Sequence, residues 1–466
     1  MKRPLARAIP AALLLLLLLP GDAAAHVLGE QYQAPLPLLA YVAGAAIAVA
    51  LSFAFVALRR PTAVQSATLG QAFRVPSWLR GGLRLVGLVG WCWIVVQAVH
   101  GGSGESDVAS LFLWLYGWVG LALLSALLGP VWSWLDPFST LHMILGWLGR
   151  RLGLRAGAER PYPAALGSWP AVVGFSFFIW LELVARVEGG RTLGLVLIGY
   201  SLVSVAGMLY YGRETWRTRG EVFSVWFGFL GRLAPYELVG RPEDGLVRRR
   251  PFAAGLRQGG WTTAQLALVT LGTGSIIFDG LSQTELYFDL FRQRTWFGLP
   301  VMILDTIVAA LFMLVLLALV AAVARHLGRA ALGAGLLPVA VGYLLAHYVV
   351  FLLVDGQRIL HALNDPLQRG DNLLPFDLGF WEPVLFLPTA IIWTIQLAAV
   401  VGGHVVGAWA GHTALAATTD RVRPLHQLPL AGLMVFLTSL TLWSLGQAVI
   451  VEPEAGRLML ELYVAR

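Results

Sequence analysis

Apolar residues in this chain come in long blocks, and the polar residues collect between them. Ten blocks are long enough to cross a bilayer, which takes about 20 residues of helix. They are 36–58, 83–99, 108–128, 168–187, 192–211, 261–281, 300–324, 332–354, 384–412 and 429–450. Lipid offers no partner for unpaired backbone groups, so blocks of this length are expected to be helices. Trp78, Trp114, Trp216, Trp261, Trp296 and Trp381 lie near block ends, as in an interfacial aromatic belt. Two further segments are expected to lie on the membrane surface as amphipathic helices. Segment 130–149 is broken by Asp136-Pro137, and 221–238 mixes aromatics with charge ahead of Arg248, Arg249 and Arg250. That arginine triplet reads as a membrane-surface and topology signal. The predicted fold is all-α: a polytopic membrane helix bundle of about ten transmembrane helices plus two interfacial helices. One integral membrane domain is expected over 26–466.

Composition agrees with the pattern. The 466 residues are 58% hydrophobic and 13% charged, with mean hydropathy +0.72, against about 25% charged in soluble domains. Lys2 is the single lysine among 33 basic residues, and the net charge of +7 follows the loops, not a nucleic-acid footprint. The lone Cys92 excludes intrachain disulfides and thiolate metal cages. Lys2, Arg3 and Arg7, an apolar stretch over 9–19 and Ala23-Ala24-Ala25 have the form of a signal peptide cleaved after residue 25. The mature chain would then begin at His26, whose free amine and imidazole suit a metal such as copper. Arginine counting supplies orientation. With the mature N-terminus outside, loops on the inner side carry 22 arginines and external segments 8. A multi-pass protein of the bacterial cytoplasmic (inner) membrane is expected, with both mature termini external.

Candidate chemistry is set by depth. No Gly-Lys pair exists, so a P-loop is excluded, and HExxH, GxSxG and a dinucleotide-binding glycine fingerprint are also missing. Ionisable groups inside a span are costly and mark pathways or sites. The stretch LLAHYVVFLLVDGQRILHALNDPLQRGDN concentrates them: His347 within an apolar run, Asp355 at its end, and His361 beyond. At 1.5 Å per residue, His347 lies roughly 10 Å below the external surface, Glu182 and Asp305 roughly 5–8 Å, and Gln396 roughly 15–18 Å. Asp279 lies within a turn of its helix end. These groups are expected to border one externally open cavity, with His347, Asp305, Asp279 and Asp355 as candidate catalytic groups. His26, His347 and His361 are the candidate metal ligands, for a divalent ion. His347 and Asp355 stand about 12 Å apart along one helix and roughly 80° around it, too far for simple co-ligation. In GHVVGAWAGH, Gly403, Gly407 and Gly411 form a small-residue seam for a neighbouring helix. His404 beside it reads as a packed, hydrogen-bonded histidine, with a ligand role the lesser alternative.

Several stretches carry a resemblance. HVLGEQYQAPLP, LYGWVGLALLSALLGPVWSWLDPF, YPAALGSWPAVVGFSFFIWLELV, GRETWRTRGEVFSVWFGFLGRLAP, TLGTGSIIFDGLS, LLAHYVVFLLVDGQ and IWTIQLAAVVGGHVVGAWAGH together resemble the bacterial integral membrane proteins termed fenitrothion hydrolase-like. The resemblance spans nearly the whole chain and implies hydrolysis of apolar organophosphorus triesters. It departs at Asp355-Gly356-Gln357, where relatives carry Gln-Gly-Gln. Three functions follow: a membrane hydrolase with water activated by a His/carboxylate base or a divalent metal; a transporter or permease for a cation, metal or small solute; or a non-catalytic assembly partner. The implied partners are the lipid bilayer and a small apolar or cationic substrate.

Overall fold

The computed structural model describes residues 37–58, 70–100, 108–153, 159–187, 189–257, 260–292, 296, 298–375, 383–417 and 424–446. The expected signal segment, His26 and Trp381 lie outside them. Among the described residues, twelve helices of nine residues or more follow in order: α1 (Leu38–Leu58), α2 (Ser77–His100), α3 (Val108–Leu128), α4 (Pro137–Arg151), α5 (Trp169–Leu183), α6 (Gly190–Tyr211), α7 (Val222–Leu230), α8 (Thr263–Ser282), α9 (Val301–Leu327), α10 (Arg329–Leu353), α11 (Thr389–Ala416) and α12 (Leu428–Leu445). All but α4 and α7 are long and apolar enough to cross a membrane, α5 together with the helical turn that precedes it over Ala164–Leu183. The chain is an all-α, multi-pass membrane bundle.

Burial ranks the helices. In α8 and α10, 78% and 67% of the most apolar window is buried, against 17% in α1 and α2. A helix that is apolar or small on every face belongs inside other helices. The α8 sequence TLGTGSIIFDGLS meets that condition, its Thr and Ser hydroxyls returning to backbone carbonyls within the helix, as Thr270 does to Leu266 at 2.8 Å and Thr273 to Val269 at 2.9 Å. A capping box starts α8: Thr262 Oγ1 accepts from Gln265 N at 3.2 Å, and the Gln265 side chain accepts from Thr262 N at 3.0 Å. Helices α5, α9, α10 and α12 all pack on α8.

The α10–α11 contact is the most extensive in the bundle, and the seam expected from sequence makes it. A Cβ at Gly342 would fall 2.4 Å from Ala399 O, and one at Gly407 2.4 Å from Gly335 O. The two backbones touch, which only glycine allows.

The two extra segments part company. Helix α4 starts where Asp136 accepts from Phe138 N (2.9 Å) and Ser139 N (3.1 Å), with Pro137 in the first turn. Its Ile144, Leu145, Trp147 and Leu148 are exposed, as befits an interfacial helix. Helix α7 differs from expectation: all its residues but Gly228 are buried, and its aromatics pack against α3 and α5. Glu221 begins it as the N-cap, and the four phenylalanine and tryptophan rings that suggested a lipid-facing surface instead fill the protein core.

Residues 236–239 and 246–249 form strands absent from the sequence prediction. β1 (Ala72–Arg74), β3 (Leu246–Arg249) and β2 (Tyr236–Val239) make an antiparallel sheet in the order β1-β3-β2, with Arg74 opposite Leu246 and Tyr236 opposite Arg249. Two arginines of the triplet serve this sheet. Arg248 and Arg250 reach Glu237 at 2.5 and 2.6 Å, and Arg250 also donates to Ala234 O and Gly231 O.

Candidate functional site

Three core helices bring their ionisable residues to one point. Glu182 comes from the last turn of α5, Asp279 from the last turn of α8, and His347 and Tyr348 from α10. His347 Nε2 lies 2.7 Å from Asp279 Oδ2. A carboxylate only accepts, so this nitrogen carries the hydrogen. The Tyr348 hydroxyl lies 3.0 Å from the same Oδ2 and 3.2 Å from Glu182 Oε1, and Gln283 Nε2 donates to Asp279 Oδ1 at 2.9 Å. Asp279 thus receives an imidazole, a phenol and an amide. The His347 and Asp279 side chains are 8% and 16% exposed, so the pair is nearly dry.

Hydrogen counting singles out Glu182. Tyr348 has one hydroxyl hydrogen and two carboxyl oxygens within reach, so it satisfies one carboxylate only. Both short contacts hold together when Glu182 carries a proton and donates it to the Tyr348 oxygen. Removing that proton leaves two carboxylates around one hydroxyl in an apolar bundle, a costly arrangement. The cluster therefore has a position for one exchangeable proton.

The other candidates are placed apart. Asp305 on α9 accepts from the Tyr287 hydroxyl at 2.8 Å and pairs with Arg292 at 3.7 Å. Tyr287 packs edge-on against Phe278, so this second buried group flanks the first across α8 without entering it. Asp355 sits in the turn Asp355–Arg358 past α10, paired with Arg358 at 3.3 Å. Tyr116, from a π-helical stretch of α3, donates to Gly356 O and pins that turn. His361 lies in the short helix Ile359–Asn364. Gln396 donates to Ala346 O at 2.8 Å, one residue before His347, and so supports α10 without touching the cluster. Among the described residues, no three His, Cys, Asp or Glu side chains converge as a metal-holding set. Tyr348 and Gln283 escaped the sequence reading. Tyr348 was signalled only by its adjacency to His347, and Gln283 by its place one helical turn after Asp279.

His347 and Asp279 have the relation of a general base to its orienting carboxylate. Comparison of the chain with known protein families, with curated proteins and with solved structures finds no match.

Proposed function

We propose that this chain is a proton-coupled membrane transporter for a cation or small solute, with Glu182, Tyr348, Asp279 and His347 as its proton-exchanging site. The observation that carries this reading is the single Tyr348 hydroxyl bridging two carboxyl groups, with His347 on one of them. Buried, mutually bonded ionisable groups from several transmembrane helices are the usual equipment of proton relays. The arginine distribution supports an orientation in which this end of the bundle faces outward, and in that orientation the proton would enter from outside. Tests are direct. Purified protein in proteoliposomes should take up a cationic or neutral solute when the outside is acidified, and Asp279→Asn or His347→Gln should each lower that uptake at least tenfold. Uptake unchanged in the double variant overturns the assignment.

A hydrolase is the second reading, favoured by the His347–Asp279 geometry and by the resemblance to fenitrothion hydrolase-like proteins. His347 would take a proton from water attacking an apolar phosphotriester that arrives through lipid. A divalent metal would be the other source of activated water; His347 and Asp279 would be two donors to it in place of their mutual hydrogen bond, and among the described residues no third His, Cys, Asp or Glu completes a metal-holding set with them. Turnover of a chromogenic aryl phosphotriester that survives His347→Ala would end this reading.

A further inference from the structure

The helix α12 presents one stripe of residues to the centre of the bundle, spaced three or four apart. From the cluster end it reads Ser444, Thr441, Thr438, Met434 and Leu430, with the N-cap Gln427 completing it. All six are buried. The stripe is therefore polar, then apolar, then polar. Its first part adjoins the cluster: a Cβ at Gly280 would lie 3.1 Å from Ser444 Oγ and 3.7 Å from His347 Cε1.

Deeper along the same face lies a second histidine. Tyr343 is one turn below His347 on α10, and its hydroxyl is 3.1 Å from His404 Nε2. His404 Nδ1 lies 2.8 Å from Val400 O. A carbonyl only accepts, so Nδ1 carries the hydrogen and Nε2 accepts from Tyr343. His404 and Tyr343 are both fully buried. The buried Thr441 hydroxyl lies beside that of Tyr343.

At the opposite end stands a third buried histidine. His412 Nδ1 meets Gln427 Oε1 at 3.1 Å, while His412 Nε2 and Gln427 Nε2 are unpartnered and buried. Between these polar groups lie Met434 and Leu430. The Met434 methyl is 3.2 Å from where a Gly335 Cβ would stand, and Leu430 Cδ2 is 3.1 Å from that of Gly411. Both side chains fill the groove over the α10–α11 seam.

We infer that Tyr343 and His404 continue the proton route inward from the cluster, and that Met434 and Leu430 form an apolar gate between it and His412–Gln427. The inference rests on the proton-exchange reading above. As the Tyr343 oxygen takes up a proton arriving from the cluster side, its own hydroxyl proton passes to His404 Nε2, so Tyr343 stays neutral and His404 becomes an imidazolium. The imidazolium releases it inward when the methionine moves. No electrons change hands. Methionine suits a gate because its unbranched side chain has three rotatable bonds.

The leak measurement needs no knowledge of the solute. Full-length protein is reconstituted in liposomes holding a pH-sensitive dye, and proton entry is driven by a potassium diffusion potential. Met434→Ser should speed entry at least tenfold, and adding His404→Leu should return it to the wild-type rate. Phe436→Ser, on an exposed side of the same helix, should match wild type. Monodisperse elution establishes folding, and Met434→Ala replaces the serine variant if that one does not fold. A Met434 variant no leakier than wild type, or a leak indifferent to His404→Leu, overturns the gate. Acid-driven solute uptake without such a leak rejects the gate alone. A leak without solute uptake in any condition rejects the transport reading alone.

Discussion

Asp136 shows what burial does to a single side chain. It is 1% exposed, caps α4, and accepts from Ser139 Oγ at 2.5 Å. Burial, reinforced by the nearby Glu221 charge, pushes its carboxyl from the ordinary 3.8 up to about 6. The fold thus favours the protonated form, so the associated stability is complete below the ordinary value and disappears as pH rises through about 6. The interval corresponds to roughly 3 kcal/mol. Asparagine caps equally well and does not titrate. Asp136→Asn should therefore melt at nearly constant temperature between pH 4.5 and 7.5 in detergent, while the wild type loses several degrees across the same range. A parallel decline in both proteins would show that Asp136 is not the group responsible.

At the scale of elements, the α10–α11 seam makes two neighbouring glycines behave oppositely. Gly403 faces α10, where a Cβ would come within 2.8 Å of Pro338 O, whereas Gly402 has open space. Gly342→Ala and Gly407→Ala must push backbone apart, an overpacking cost of about 1–3 kcal/mol each. Gly402→Ala should be neutral or slightly stabilising. Thermal midpoints of the three variants check this, and equal midpoints would mean that the seam does not hold the helices. The seam was legible in the sequence because glycines at i, i+4 and i+8 of an apolar helix line one face and clear it for a neighbouring backbone. Helix α7 was not, because Phe223, Trp226, Phe227 and Phe229 look the same whether they face lipid or other rings. The partners that decide it, Trp118, Phe175 and Phe178, are contributed by α3 and α5.

For the whole molecule, hydrophobic blocks alone matched the number of helices long and apolar enough to cross a membrane among the described residues, since length and hydropathy are local properties. Which helices meet is not local. That is why His347 and Asp279 stood out as candidates while their 2.7 Å contact, and the separation of Asp305 and Asp355 from it, awaited the fold. The sheet illustrates the same limit: its strands are three or four residues long and surrounded by arginines. Its stability depends on Glu237, whose carboxylate meets Arg248 and the buried Arg250. Glu237→Gln leaves a guanidinium short of its counter-charge and should cost about 3–5 kcal/mol, read as a lowered melting temperature. A midpoint within a degree of wild type would contradict this.

The pairing of β1 with β3 also sets a timetable for the growing chain. Arg74 finds its place opposite Leu246, 172 residues later. At about 5–20 residues per second of synthesis, the first strand waits on the order of 10–30 s. During that interval α2 to α7 emerge while the edge of β1 has no neighbour. Ribosome-bound chains stopped near residue 220 should be cut by protease around residues 70–75, and chains extended past residue 290 should resist. The sheet thus works as a clasp that closes only after half of the bundle has been made.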